Sequence, residues 1–277
     1  MAIKLIITAD DCGLSQGIDH AAGSLFDKGM VSTASIMMNY PHVGHSFDYF
    51  GRLPNLETGI HLNLTEGEPL SEIAQKSDLV RSSGRFRNKL FLYAQALFLS
   101  TKMQNAIEVE FRSQIERFIA LAGQTPTHIT THMHFHVFPA IRDIIYHLAE
   151  EYDVQWVRNH DFRSSLVPMH PLLDTRSKIA ETPHNFFIPD YLTVVKAYLE
   201  FPHSFMQHDI LKLEGIVEIV VHPSAPEDIH FPHDASYSPA ARHREVVYLE
   251  KVFDLLAPQM GHEIEVINIS GVLNQAI

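Results

Sequence analysis

Ile3-Lys4-Leu5-Ile6-Ile7-Thr8-Ala9-Asp10-Asp11-Cys12-Gly13 is the stretch on which the fold reading turns. Residues 3–9 are short, apolar and rich in β-branched side chains, which predicts a buried strand. Asp10-Asp11-Cys12-Gly13 then predicts a polar turn. Behind it Ile18, Ala21, Ala22, Leu25 and Phe26 recur at helical spacing, with Ser15 placed to cap the first turn.

The strand–turn–helix unit repeats outward along the chain. Strands are expected at 31–38, 56–62, 127–132, 154–157, 216–221 and 264–269. Helices are expected at 41–51, through Ile107 to Ala122, through Ile141 to Leu148, at 239–257 and at the C-terminus. The stretch 160–210 reads as long loops with a helix near 190–201. The apolar run 90–99 is too short to cross a bilayer; it reads as a buried helix, a dimer contact or a lid over a pocket. Alternating strands and helices indicate an α/β protein with a parallel sheet. Nothing in the chain reads as a linker, repeat or low-complexity tract, so one domain over 1–277 is expected.

Of the 277 residues 45% are hydrophobic, enough for a substantial core, and the formal charge is −12. That sign argues against broad nucleic-acid binding and against docking on anionic lipid. The single cysteine, Cys12, forms no internal disulfide and suits a reducing compartment. The opening run is broken by Lys4 and does not read as a signal peptide, so a cytoplasmic location and no membrane span are expected.

The polar residues keep falling at strand ends. Asp10 and Asp11 follow the first strand, His61 and Asn63 close the third, and His132, His134 and His136 follow the strand at 127–132. Arg158 and His222 end two more. In parallel barrels and open parallel sheets the active site lies at the C-terminal strand ends, so these residues can share one rim. Carboxylate plus imidazole is a ligand set for a divalent ion that leaves room for water. Of two adjacent aspartates one can ligate while the other takes a proton from water, and His222 can give a proton to a leaving amine. Each piece has a plainer reading: a helix-capping turn for the aspartates, a satisfied core histidine for His61, packing for Cys12. Alternation would put His132, His134 and His136 on one face of an extended chain.

The motifs in order resemble the YdjC-like carbohydrate deacetylases, which include chitooligosaccharide deacetylases and hopanoid-biosynthesis-associated proteins. They are Ala9-Asp10-Asp11-Cys12-Gly13, Gly59-Ile60-His61-Leu62-Asn63-Leu64-Thr65, Thr130-Thr131-His132-Met133-His134-Phe135-His136, His222-Pro223, and Tyr237 with Arg242-His243-Arg244-Glu245. Ser82-Ser83-Gly84-Arg85-Phe86 is similar to the hopanoid-associated branch. The resemblance implies a distorted (β/α) TIM-like barrel and one divalent ion, magnesium or zinc, held by Asp11, His61 and His132. It implies Asp10 as general base, His222 as acid, and hydrolysis of an N-acetyl group from an amino-sugar-containing oligosaccharide or glycolipid. Asn63, His134, His136, Arg158 and Tyr237 complete the expected site as substrate contacts, and a homodimer is a further expectation. Thr130 stands where the family motif has Asp, and by alternation it should partner His132. Two other readings remain: a metal-dependent phosphoesterase with Arg158, Arg242 or Arg244 as a clamp, and a non-catalytic sugar-binding protein.

Overall fold

The computed structural model describes residues 3–96, 99–158, 186–187, 189–200, 206–233, 235 and 237–274. Its strands are β1 (Ile3–Cys12), β2 (Thr33–Ile36), β3 (Glu57–Leu62), β4 (Ile129–Thr131), β5 (Tyr191–Val194), β6 (Ile216–Val221) and β7 (Ile264–Val266). Its helices are α1 (Gln16–Asp27), α2 (Val43–Phe50), α3 (Glu72–Gln75), α4 (Lys89–Ala96), α5 (Thr101–Ala122), α6 (Pro139–Glu151), α7 (Val195–Glu200), α8 (Met206–Ile210), α9 (Pro239–Leu256) and α10 (Ile269–Leu273).

The strand order is β4-β3-β2-β1-β6-β5, and every pairing is parallel. β6 occupies one edge of β1 from Lys4 to Ala9. The other edge is shared, with β7 at Ile3–Leu5 and β2 at Thr8–Cys12. Beyond β4 the pairing continues through bridges from Ile129 to Val157 and from Trp156 to Phe187. Phe187 lies only four residues before β5, so the two ends of the sheet are tied by at most roughly 14 Å of chain.

Alternation along β1 separates two environments. Leu5, Ile7 and Ala9 join the main core, and Ile18, Ala22 and Leu25 of α1 belong to the same core. Ile6 faces the opposite way and packs with Trp156, Ile267, Ile269 and Val272. Above Ile6 on this inner face come Thr8, which donates to Glu218 of β6 at 2.9 Å, and Asp10, which meets Arg158 at 2.6 Å. Arg158 follows the bridge beside β4, four strand spacings from β1. In a flat sheet that is about 19 Å, beyond a side chain's reach. The contact therefore requires a curled sheet, and the protein is a distorted α/β barrel, as expected.

Most expected elements are present, and the differences have local causes. β1 continues through the expected turn to Cys12. The expected helix near 190–201 is split: Tyr191–Val194 pairs with β6 as a strand, and only Val195–Glu200 is helical. The loops expected over 160–185 lie outside the described residues. Within the 90–99 run the described residues up to Ala96 belong to α4, which packs on its own chain: the Tyr93 hydroxyl donates to the Met133 carbonyl at 2.9 Å, and its ring meets Phe135 and Phe138.

Candidate active site

The site stands where β1, β3, β4 and β6 end. Neighbouring residues of a regular strand point to opposite faces. Here the β1–β2 register shifts between Ala9 and Cys12, and Asp11 has φ 63, in the left-handed region. This bulge turns Asp11 to the side that Asp10 already faces. Strain of that kind in a non-glycine residue persists where the surroundings over-determine it. The turn is pinned by Gly13 N–H donating to Asp19 at 2.8 Å and Met37 N–H to the Cys12 carbonyl at 2.7 Å.

Asp11 is the hub. Its Oδ1 lies 2.8 Å from His132 Nδ1 and 3.1 Å from His61 Nε2, and its Oδ2 accepts from Arg242 Nη2 at 2.7 Å. Asp11, His61 and His132 are all buried, and each offers a ligand atom within 4.8 Å of the others. Burial raises the Asp11 carboxyl, but His132 and Arg242 outweigh it and hold the group well below the usual carboxylate range. Burial pulls His132 down; Asp11 and Glu66 outweigh it and push the ring up to about 10. Glu66 Oε1 is 3.3 Å from His132 Nε2. Positive charge therefore belongs between these carboxylates, and the N and O donors suit a divalent ion. The residues fit the implied metal.

Asp10 is clamped beside this set. Arg158 Nη1 and Nη2 bind its two oxygens at 2.6 and 2.9 Å, while Arg158 Nε and Nη2 bind Glu218 at 2.9 and 2.8 Å. Burial raises Asp10, but the charges of Arg158 and His61 prevail and keep it ionised. On the far side, Glu245 accepts from His222 N–H at 2.9 Å and lies 3.2 Å from Nδ1. Burial lowers His222; Glu245 reverses the shift and raises it.

The structure brings together Asp10, Asp11, His61, His132 and His222 from the sequence reading. Tyr237 stands with them, its ring edge-on to His222 at 5.7 Å and its hydroxyl donating to Ala241 O at 3.3 Å. Arg158 is 1% exposed with all three nitrogens on carboxylates, so it positions Asp10 where a substrate contact was expected. The three histidines after β4 do not alternate. Met133 and His134 have φ 58 and 54, and the chain winds into a tight helical turn. His134 still lies in the field of Arg158, Asp10 and His222; burial and Arg158 push it down to about 3. His136 points to Thr131, 2.6 Å from its Oγ1. Asn63 organises the loop that carries Glu66: its Nδ2 donates to Asn39 Oδ1 and Glu66 O, and its Oδ1 accepts from Thr65 and Glu66 N–H. Thr130 partners His61 at 2.7 Å, not His132.

Sequence reasoning missed Glu66, Glu218 and the roles of Arg242 and Glu245. Glu218 carried a signal, as the one acid inside Ile216-Val217-Glu218-Ile219-Val220-Val221, where a buried charge needs a partner. Glu66 sits one residue past a recognised motif and carried none.

A curled parallel sheet with a carboxylate and two imidazoles gathered over its strand ends defines an α/β-barrel protein with a candidate catalytic metal centre. The YdjC-like protein family profile matches residues 4–252, and the chain belongs to that family. A carbohydrate deacetylase of Geobacillus stearothermophilus is 32% identical over 186 residues, covering 67% of this chain and 66% of that one. A chitooligosaccharide deacetylase of Yersinia pestis (strain Pestoides F) is 35% identical over 147 residues, 53% of this chain and 56% of that one. The matches span about half to two thirds of the length of such curated relatives. A crystal structure from Enterococcus faecalis V583, described as a candidate cellobiose-phosphate cleavage protein, shares the fold. Its TM-score is 0.77 at 20% identity, covering 98% of this chain and 99% of that one. Among the described residues no helix is long and apolar enough to cross a membrane.

Proposed function

We propose that the chain is a divalent-metal-dependent hydrolase that removes the N-acetyl group from an amino-sugar-containing substrate, an oligosaccharide or glycolipid, and releases acetate. The observation that carries this reading is the pairing of two things on one rim: the Asp11–His61–His132 donor set and, beside it, an aspartate held ionised by a bidentate arginine. The deacetylase names of the relatives agree with it.

Asp11, His61 and His132 would hold the ion, zinc or magnesium, which when bound supplies Lewis acidity that polarises an acyl carbonyl and makes water more acidic. Asp10 takes the proton from the attacking water at its carboxylate. Arg158 fixes the orientation of that carboxylate and keeps it free of its own proton, while lowering its basicity. The water oxygen bonds to the acyl carbon, the C–N bond breaks, and the amine nitrogen takes a proton from His222. Glu245 on Nδ1 leaves Nε2 of His222 as the nitrogen that delivers it. His134 and Tyr237 are the substrate contacts this arrangement favours.

The phosphoesterase reading loses two of its three candidate clamps, since Arg158 is bound to two carboxylates and Arg242 to Asp11, which leaves only the exposed Arg244 of α9. A sugar-binding protein without catalysis has no use for a clamped, ionised Asp10. The test is acetate release from chitobiose-type substrates by the ion-loaded protein. Asp10→Asn should keep the ion and lose at least about two orders of magnitude in kcat, the usual scale for general-base loss. Phosphate release from generic esters without acetate release, or full turnover in Asp10→Asn, overturns the proposal.

A further inference from the structure

Beneath the candidate centre, the barrel interior holds a line of hydrogen bonds that the proposed chemistry does not use. It begins at His61, whose Nδ1 lies 2.7 Å from Thr130 Oγ1. Thr130 donates to Ser35 Oγ at 3.0 Å, and Ser35 Oγ lies 2.8 Å from Nε2 of His128. Nδ1 of His128 lies 2.8 Å from Thr127 Oγ1 and 3.4 Å from Thr33 Oγ1. Thr33, Ser35 and His128 are fully buried, and the His128 ring lies against Gly59, where any Cβ would overlap it.

The far end of the line fixes its direction. A hydroxyl has one proton to give. Thr127 gives its proton to the Thr58 carbonyl at 3.1 Å, and Thr33 gives its own to the Glu57 carbonyl at 3.2 Å. With their protons placed there, both accept from His128, and the His128 proton sits on Nδ1. Burial, aided by the charge of Arg158, pushes this ring down to about 3, so Nε2 carries no second proton. Nε2 is then an acceptor and Ser35 must donate to it. The Thr130 proton is committed to Ser35 or to the Ile60 carbonyl at 3.3 Å. With its proton placed there, Thr130 accepts from Nδ1–H of His61. Nε2 of His61, 3.1 Å from Asp11 Oδ1, is left as the lone-pair nitrogen.

We infer that His128 is a positioning residue that sets the ligating tautomer of His61 through Ser35 and Thr130. This rests on reading His61 as a metal ligand. Ligand histidines need the proton on the nitrogen away from the ion, and a carboxylate or carbonyl partner ordinarily puts it there. Position 130 offers a hydroxyl, which both donates and accepts and so chooses nothing alone. Asp11 Oδ1, 3.1 Å from Nε2 of His61, draws the proton the other way, and the line that ends in two backbone carbonyls and runs through His128 is what holds it on Nδ1.

The test uses the full chain with 15N-labelled histidine, metal-free and during zinc titration. Ser35→Ala cuts the line in the middle, and His128→Phe removes its relay in a similar volume. In the metal-free wild type, long-range 1H–15N correlation should show His61 as a single Nδ1–H tautomer. In either variant His61 should become a mixture of tautomers, and the zinc dissociation constant should rise about 10- to 100-fold. A single unchanged tautomer in folded Ser35→Ala, with zinc affinity within about twofold of wild type, overturns the inference. His61→Ala is the control for the underlying reading: unchanged zinc affinity there removes His61 from the ligand set. The tautomer populations of the metal-free variants still decide whether His128 orients the ring.

Discussion

Glu245 touches His222 twice, at the backbone N–H and at Nδ1, and is itself fully buried. Burial alone would lower the imidazolium; Glu245, with Asp11 and Asp10 behind it, raises it. A proton donor works only while protonated, so the role proposed for His222 predicts that activity is lost as pH rises through its pKa. Glu245→Gln keeps the shape and an acceptor for the N–H but removes the charge, which lowers that pKa. The alkaline limb of kcat/KM should move to lower pH while the acid limb stays. An unmoved alkaline limb rules His222 out as the acid. The residues legible in the sequence are the short ones fixed by the backbone: Asp10, Asp11, His61, His132 and His222 each sit where a strand stops. Those that escaped reading reach the site by long side chains from elsewhere, as Arg242 does from α9 and Glu66 does from a loop. His134 and His136 were misplaced because alternation assumes an extended chain. Two successive left-handed residues, neither of them glycine, break that assumption, and nothing in their side chains announces it.

At the scale of elements, the β1–α1 turn that carries both aspartates is held by one residue of α1. Asp19 accepts from Gly13 N–H at 2.8 Å and from Ser46 Oγ of α2 at 2.6 Å. Burial raises its carboxyl from the ordinary 3.8 to about 6, more than these two hydrogen bonds lower it. A carboxyl with a raised pKa in the folded state favours folding when protonated, so this contribution falls as pH rises from about 4 to 6 and is flat above. Asp19→Asn can keep both contacts, with its Oδ1 on Gly13 and its Nδ2 on Ser46, and has no proton to lose. Its stability relative to wild type should therefore grow by up to roughly 3 kcal/mol between pH 4 and 7, at 1.36 kcal/mol per unit. Denaturant unfolding at both pH values checks this; a pH-independent difference excludes Asp19 as the titrating group. The strand–helix alternation was legible because parallel strands buried on both faces are apolar throughout. β5 was not, because its four residues run straight into α7 and read as one helix.

At the scale of the whole molecule, the donor set ties together chain segments that are remote in sequence. Asp11 comes from the end of β1, His61 from β3 and His132 from the turn after β4, and Arg242 of α9 closes on Asp11 from the other end of the chain. An unfolded chain does not present these groups together, so an ion bound here stabilises the native state by RT ln(1 + [ion]/Kd). At a hundredfold excess over Kd this is about 2.7 kcal/mol, worth roughly 5–11 °C in Tm for a chain of this size. Chelation should remove that increment, and His61→Ala should show none of it. The binding must also expel a proton: without the ion His132 titrates near 10, so it is protonated at neutral pH and has to lose that proton to ligate. Calorimetry in buffers of different ionisation enthalpy should find close to one proton released per ion at pH 7.5, with affinity rising as pH rises from 6. An equal Tm increment in wild type and His61→Ala, or binding without proton release, would place the ion away from this centre.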